Sequence, residues 1–143
     1  MKVLVDTSVW SLALRKKKLT ADKKAVVAEL EDLIKDLRVV MVGPVRQELL
    51  SGLADEEQYE ILKAKLAVFN DLFISTEDYE KAACFYNICR KKGIQGSHVD
   101  YLLCSIAANH DLLIFTLDRD FEHYSRHLPV GLYKDYPQSR PGH

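Results

Sequence analysis

Short apolar runs alternate along the chain with longer segments in which apolar residues recur every three to four positions. Met1 to Val5 reads as a buried strand that stops at Asp6-Thr7-Ser8, three residues that cap helices well. Val39 to Val42 gives a second strand. It ends at Gly43-Pro44, and proline suits the first position of a helix predicted to run through Leu49 toward Gly52. Leu72-Phe73-Ile74 predicts a third strand, followed by a long helix capped at Ser75 that begins with acid (Glu77, Asp78) and ends with base (Arg90, Lys91, Lys92) before Gly93. His98 to Asn109 predicts another helix, Leu112 to Thr116 the most apolar strand, and Val130 to Tyr133 a last one. Between Thr20 and Leu37, the residues Ala25, Val26, Leu30, Leu33, Ile34 and Leu37 form a helical stripe assigned to the core. Strands of four or five residues alternating with helices predict parallel βαβ units, hence an α/β sheet covered on both faces. Ligands of such sheets bind beyond the carboxyl ends of the strands.

With 48% apolar and 29% charged residues, the 143-residue chain is composed as a folded protein, not a disordered, collagen-like or membrane-spanning one. At this length one core buries roughly 70% of the unfolded surface. No Pro/Gly/Ser-rich linker divides the chain, so one domain over residues 1–136 with a flexible tail at 137–143 is expected. Asp6 interrupts the first apolar stretch too early for a signal peptide, and no apolar run approaches the roughly 20 residues of a spanning helix, so a cytoplasmic protein is expected. Cys84, Cys89 and Cys104 lack a Cys-x-x-Cys spacing and predict buried apolar residues, not a disulfide framework or zinc knuckle. Twenty Lys+Arg against 21 Asp+Glu leave a net charge of −1, so nucleic acid would have to be held by local clusters. Arg15 to Lys18 and Arg90 to Lys92 qualify, although each reads equally well as a solvated loop or a dipole-compensating helix end.

Acids at strand ends are the candidates for chemistry, although a single strand-end Asp also reads as a cap of the next helix or the opening of a turn. Asp6 leaves the first strand, and Asp118 and Asp120 follow Thr116; if these strands are parallel neighbours, the carboxylates share one rim. Asp100 shares a helical face with Leu103, Cys104, Ala107 and Ala108, and Glu48 shares one with Val45, Leu49 and Gly52, so both are predicted to turn toward the sheet. Glu29, Glu31, Glu56, Glu57 and Glu60 sit in charged stretches and read as solvated. Two like charges about 4 Å apart repel by about 4 kcal/mol at an effective dielectric of 20, so converging acids raise one another's pKa or require a cation. Arg46 and Arg119 are expected to project elsewhere, which leaves a divalent metal as the simpler counter-charge. Oxygen-only ligands select Mg²⁺ or Mn²⁺ over zinc. No histidine pair is predicted at zinc-binding spacing on a helix: His123 and His127 are four apart, but turn-like sequence lies between them and the last strand, which disfavours a zinc site.

Val-Leu-Val-Asp6-Thr7-Ser8-Val-Trp10, Val-Arg-Gln-Glu48-Leu-Leu, Lys92-Gly93 leading to His98-Val99-Asp100, Cys104-Ser-Ile-Ala-Ala108 and Thr116-Leu-Asp118-Arg-Asp120-Phe121 follow one another in an order that resembles the PIN domain family and, within it, VapC-like toxin ribonucleases of toxin–antitoxin pairs. The resemblance spans nearly the whole chain. It implies a three-layer α/β/α sandwich with a mainly parallel sheet, Mg²⁺- or Mn²⁺-dependent hydrolysis of RNA phosphodiesters, a homodimer and a VapB-like antitoxin. It places Asp6, Glu48 and Asp100 at three acidic positions and Asp118 at the fourth, with Asp120 also available. Ser8 and Thr116 are candidates for hydrogen-bonding a carboxylate or a phosphate oxygen, and read otherwise as hydroxyls that cap or pack. Trp10 reads as packing. A catalytically silent PIN module that binds RNA or a protein partner is the alternative. A phosphotransfer receiver is disfavoured, because Gly43-Pro44 stands where its phosphate-accepting Asp would follow the second strand.

Overall fold

The structure, a computed structural model, describes residues 1–14 and 18–134. Three residues of the Arg15 to Lys18 cluster and the whole tail at 137–143 lie outside the described residues. In chain order the elements are β1 (Val3–Val5), α1 (Thr7–Leu14), α2 (Ala21–Lys35), β2 (Val39–Val40), α3 (Gly43–Leu50), α4 (Glu56–Leu66), α5 (Thr76–Lys91), α6 (His98–Asn109), β3 (Leu113–Phe115) and α7 (Asp120–His127). β1 lies in the middle of a parallel sheet ordered β2-β1-β3, with Leu4 opposite Val40 on one side and Ile114 on the other. Helices flank this sheet in a three-layer α/β/α sandwich, as the alternating pattern predicts. All three residues of β1, together with Ile114 and Phe115, are completely buried. Such strands are apolar without alternation because both faces are covered.

The sheet edges are shorter than expected. Val39 to Val42 forms only a two-residue strand, and the predicted strand Leu72–Ile74 is reduced to one parallel bridge, Met41 to Asp71, with the Leu72 amide bonded to the Met41 carbonyl at 2.8 Å. Phe73 points into solvent, so the segment lacks a second buried face that would extend the ladder. At the other edge, Val130 to Tyr133 contributes one bridge, Leu132 to Ile114.

Helix boundaries follow local chemistry. Ser75 and Asp78 form a reciprocal capping box at the start of α5, and Asp55 caps α4 by accepting from the amides of Glu57 and Gln58. α4, unpredicted from the pattern, buries only Leu66. Val26, Leu30 and Leu33 of α2 enter the core, whereas Leu37, counted in the same stripe, lies past the helix end at φ 57° with its side chain in water. Trp10 is buried edge-on to Phe69 at 5.2 Å, as expected of packing. Cys89 and Cys104 are buried, but Cys84 is exposed. Glu29 is half-buried and accepts the Tyr133 hydroxyl instead of standing free in water. No helix among the described residues is long and apolar enough to cross a membrane.

Candidate active site

Parallel pairing of β1 with β3 brings Asp6 and Thr116 to the same rim, one residue beyond each strand. Asp6 is buried to 9% exposure, and its Oδ2 accepts from Ser8 Oγ at 2.9 Å and from Thr116 Oγ1 at 2.8 Å. The hydroxyls are themselves oriented: Ser8 Oγ accepts the Leu117 amide at 3.0 Å and Thr116 Oγ1 accepts the Asp118 amide at 3.0 Å. With its accepting role taken by an amide, each hydroxyl has its proton left for Asp6. Both bonds fall on one oxygen, which fixes the carboxylate without using Oδ1.

Asp100 stands in the first turn of α6, where the Ser97 side chain accepts its amide. Its Oδ2 accepts the Tyr124 hydroxyl at 2.7 Å. Burial pushes the Asp100 carboxyl above its ordinary 3.8; Tyr124 and Ser97 pull it down, and the charges of Asp118 and Asp6 push it up again. Glu48 is exposed at the rim, not packed against the sheet as the Val45–Leu49–Gly52 face predicts. Partial desolvation still raises it above 4.5, with Thr7 lowering it and Asp6 and Asp100 raising it. The Thr7 Oγ1 that approaches Glu48 is buried without a well-formed hydrogen bond. In both cases the acting charges are carboxylates, with no base among them.

Asp118 is exposed and belongs to the group through its charge on Asp100; its Oδ1 also accepts the Asp120 amide at 2.9 Å. Asp120 acts on Tyr124 instead. Arg46 does project elsewhere, to Asp71 at 2.9 Å and to the carbonyls of Leu66 and Phe69. His123 and His127 prove to share a helix, α7, although both are exposed. Sequence reasoning passed over Tyr124; its one signal was a tyrosine among the charged residues of α7 (Glu122, His123, Arg126).

The donor set fits a hard dication in chemistry: oxygen ligands that repel one another, with no base acting on Glu48 or Asp100. It is not a closed cage, since no three His, Cys, Asp or Glu among the described residues converge tightly enough to hold an ion together. An ion such as Mg²⁺ would have to keep several waters there and take only one or two carboxylates directly.

Acids beyond the carboxyl ends of a parallel sheet, set on hydroxyl and helix-cap supports, define a class. The chain belongs to the PIN domain family, whose model matches residues 3–127. Among its relatives, the VapC ribonuclease Mb1587 of Mycobacterium bovis and the ribonuclease VapC11 of Mycobacterium tuberculosis are each 27% identical over 128 residues, covering 87% of this chain and 92% of theirs. VapBC2 of Rickettsia felis, solved with a promoter DNA fragment, aligns at TM-score 0.75 and 19% identity over 93% of this chain and 98% of that one. FitAcB of Neisseria gonorrhoeae aligns at 0.74 and 22% over 92% and 96%. These structural likenesses carry the fold.

Proposed function

We propose that this protein is a Mg²⁺- or Mn²⁺-dependent endoribonuclease, the toxin of a toxin–antitoxin pair, acting in the cytoplasm as a homodimer and restrained by a VapB-like antitoxin. The observation that carries the reading is electrostatic: burial first raises Glu48 and Asp100 above their ordinary pKa, and carboxylate charges push both further, Asp6 and Asp100 acting on Glu48 and Asp118 and Asp6 on Asp100. A fold tolerates such repulsion where a cation is to be received. The ribonuclease relatives and the PIN membership supply the reaction class.

Asp6 and Asp100 are the ligands, each fixed through one oxygen by a hydroxyl donor. Glu48 and Asp118 flank them from the open side. A bound dication supplies charge against the phosphate oxygens and favours ionisation of the attacking water. Glu48, which holds a proton more readily than a free glutamate, suits receipt of the proton that this water sheds. The water's oxygen bonds to phosphorus as the P–O bond to the leaving ribose breaks.

Incubating the pure protein with total RNA, with Mg²⁺ and then with excess chelator, tests this. New RNA ends in Mg²⁺ that disappear with chelator are the expected result; cleavage indifferent to chelator overturns the metal mechanism.

A further inference from the structure

Asp100 is supported differently from Asp6. Asp6 has two small hydroxyls from its own rim, whereas Asp100 relies on a tyrosine reaching it from α7, 24 residues later in the chain. Tyr124 is completely buried, its ring tilted on Tyr101 at 5.0 Å and edge-on to Phe121 at 5.2 Å. The loop before α6 presses on it too. A Cβ on Gly96 would lie 2.5 Å from the Tyr124 hydroxyl oxygen and 2.9 Å from the Tyr101 ring, closer than packed atoms approach. The absence of a side chain at position 96 is therefore what lets the phenol stand where it meets Asp100.

From this geometry we infer that Tyr124, seated by the glycine at position 96, is a positioning residue that fixes Asp100 to receive the dication. The inference rests on the metal-dependent reading above. A carboxylate with one oxygen committed to a buried phenol cannot turn freely, so the ion contact falls on the other oxygen. Outer partners of this kind typically set metal affinity by about 10–100-fold.

Mn²⁺ titration by calorimetry, with no RNA present, separates the outcomes. Tyr124→Phe should weaken Mn²⁺ binding by on the order of tenfold while the circular dichroism spectrum stays unchanged. Gly96→Ala, which leaves Tyr124 and Asp100 chemically intact but displaces the phenol, should weaken it in the same direction. Tyr101→Phe perturbs the same aromatic stack without touching Asp100 and should bind as the wild type does. Equal affinity in the wild type and Tyr124→Phe overturns this inference alone, and a loss shared by Tyr101→Phe reduces it to packing. A wild type that binds no Mn²⁺ overturns the proposed function and this inference together.

Discussion

Two acids near opposite ends of α6 differ in a way that burial alone does not explain. Asp78, at the start of α5, is 1% exposed, more deeply buried than Asp100. Yet its carboxyl sits below the ordinary 3.8: burial, the largest single influence, raises it, but Asn109, the Ser75 amide and His110 together outweigh that. Asn109 Nδ2 donates at 2.8 Å, Ser75 N at 3.0 Å, and His110 Nε2 lies at 3.3 Å. About 13 Å along the helix, Asp100 has one phenol and meets the charges of two other carboxylates. The satisfied acid joins two helices; the under-satisfied one faces work. Depth of burial separates the two less well than the sign of their surroundings.

Exchanging the acids' fates breaks that comparison. Asp6→Asn or Asp100→Asn should lower kcat for RNA cleavage by on the order of 10³-fold, equivalent to about 4 kcal/mol of lost transition-state stabilisation, without loss of fold. Full activity in either purified variant would refute its role. Asp78→Ala should do the reverse. It leaves the Asn109 amide and Ser75 N–H without their partner at a cost of about 2–3 kcal/mol, read as an earlier urea midpoint, with activity retained below that midpoint. An unchanged midpoint would deny Asp78 its structural part.

The two groups also bend stability against pH in opposite senses. Asp78 is held below 3.8, so its contribution is complete above that pH and is lost as pH falls through the lower folded value. Glu48 and Asp100 are raised, so theirs is complete below 4.5 and 3.8 respectively and is lost as pH rises through the folded values. Denaturation followed across pH should therefore lose its acid-side slope in Asp78→Asn and part of its rising-pH loss in Glu48→Gln. Identical profiles would show that neither shift bears on folding. The smallest effect concerns the basic end of α5, where Arg90 and Lys92 are exposed. Replacing both by alanine should reduce the salt dependence of RNA binding by about one unit of slope for each phosphate that the protein then leaves unneutralised; an unchanged slope would place the RNA elsewhere.

Much of the fold was legible because β1, β3 and α6 are nearly pure in pattern. Val3-Leu4-Val5 and Leu113-Ile114-Phe115 have room only for a strand buried on both faces. The edges were misread where pairing, not local preference, decides: Leu72–Ile74 has a strand's composition but only one bridging neighbour. α7 was hidden because its charged residues mask the two that pack, Phe121 and Tyr124. At the site, Asp6 and Thr116 were predictable from strand ends, and Asp100 from an acid on an apolar stripe. Glu48 was expected to pack and instead reaches the rim, since a short helix at the sheet's edge has an open flank. Tyr124 could not be found by spacing, because its bond to Asp100 depends on how α7 folds back over the loop at Gly96.

The central claim, that Asp6 and Asp100 meet at one dication, is tested most directly by a crystal grown with Mn²⁺ and measured at the manganese absorption edge. The account predicts a single anomalous peak in coordination contact with both of those carboxylates, with Glu48 and Asp118 reaching it directly or through water. A peak at another place on the surface, or none at saturating Mn²⁺, would contradict it.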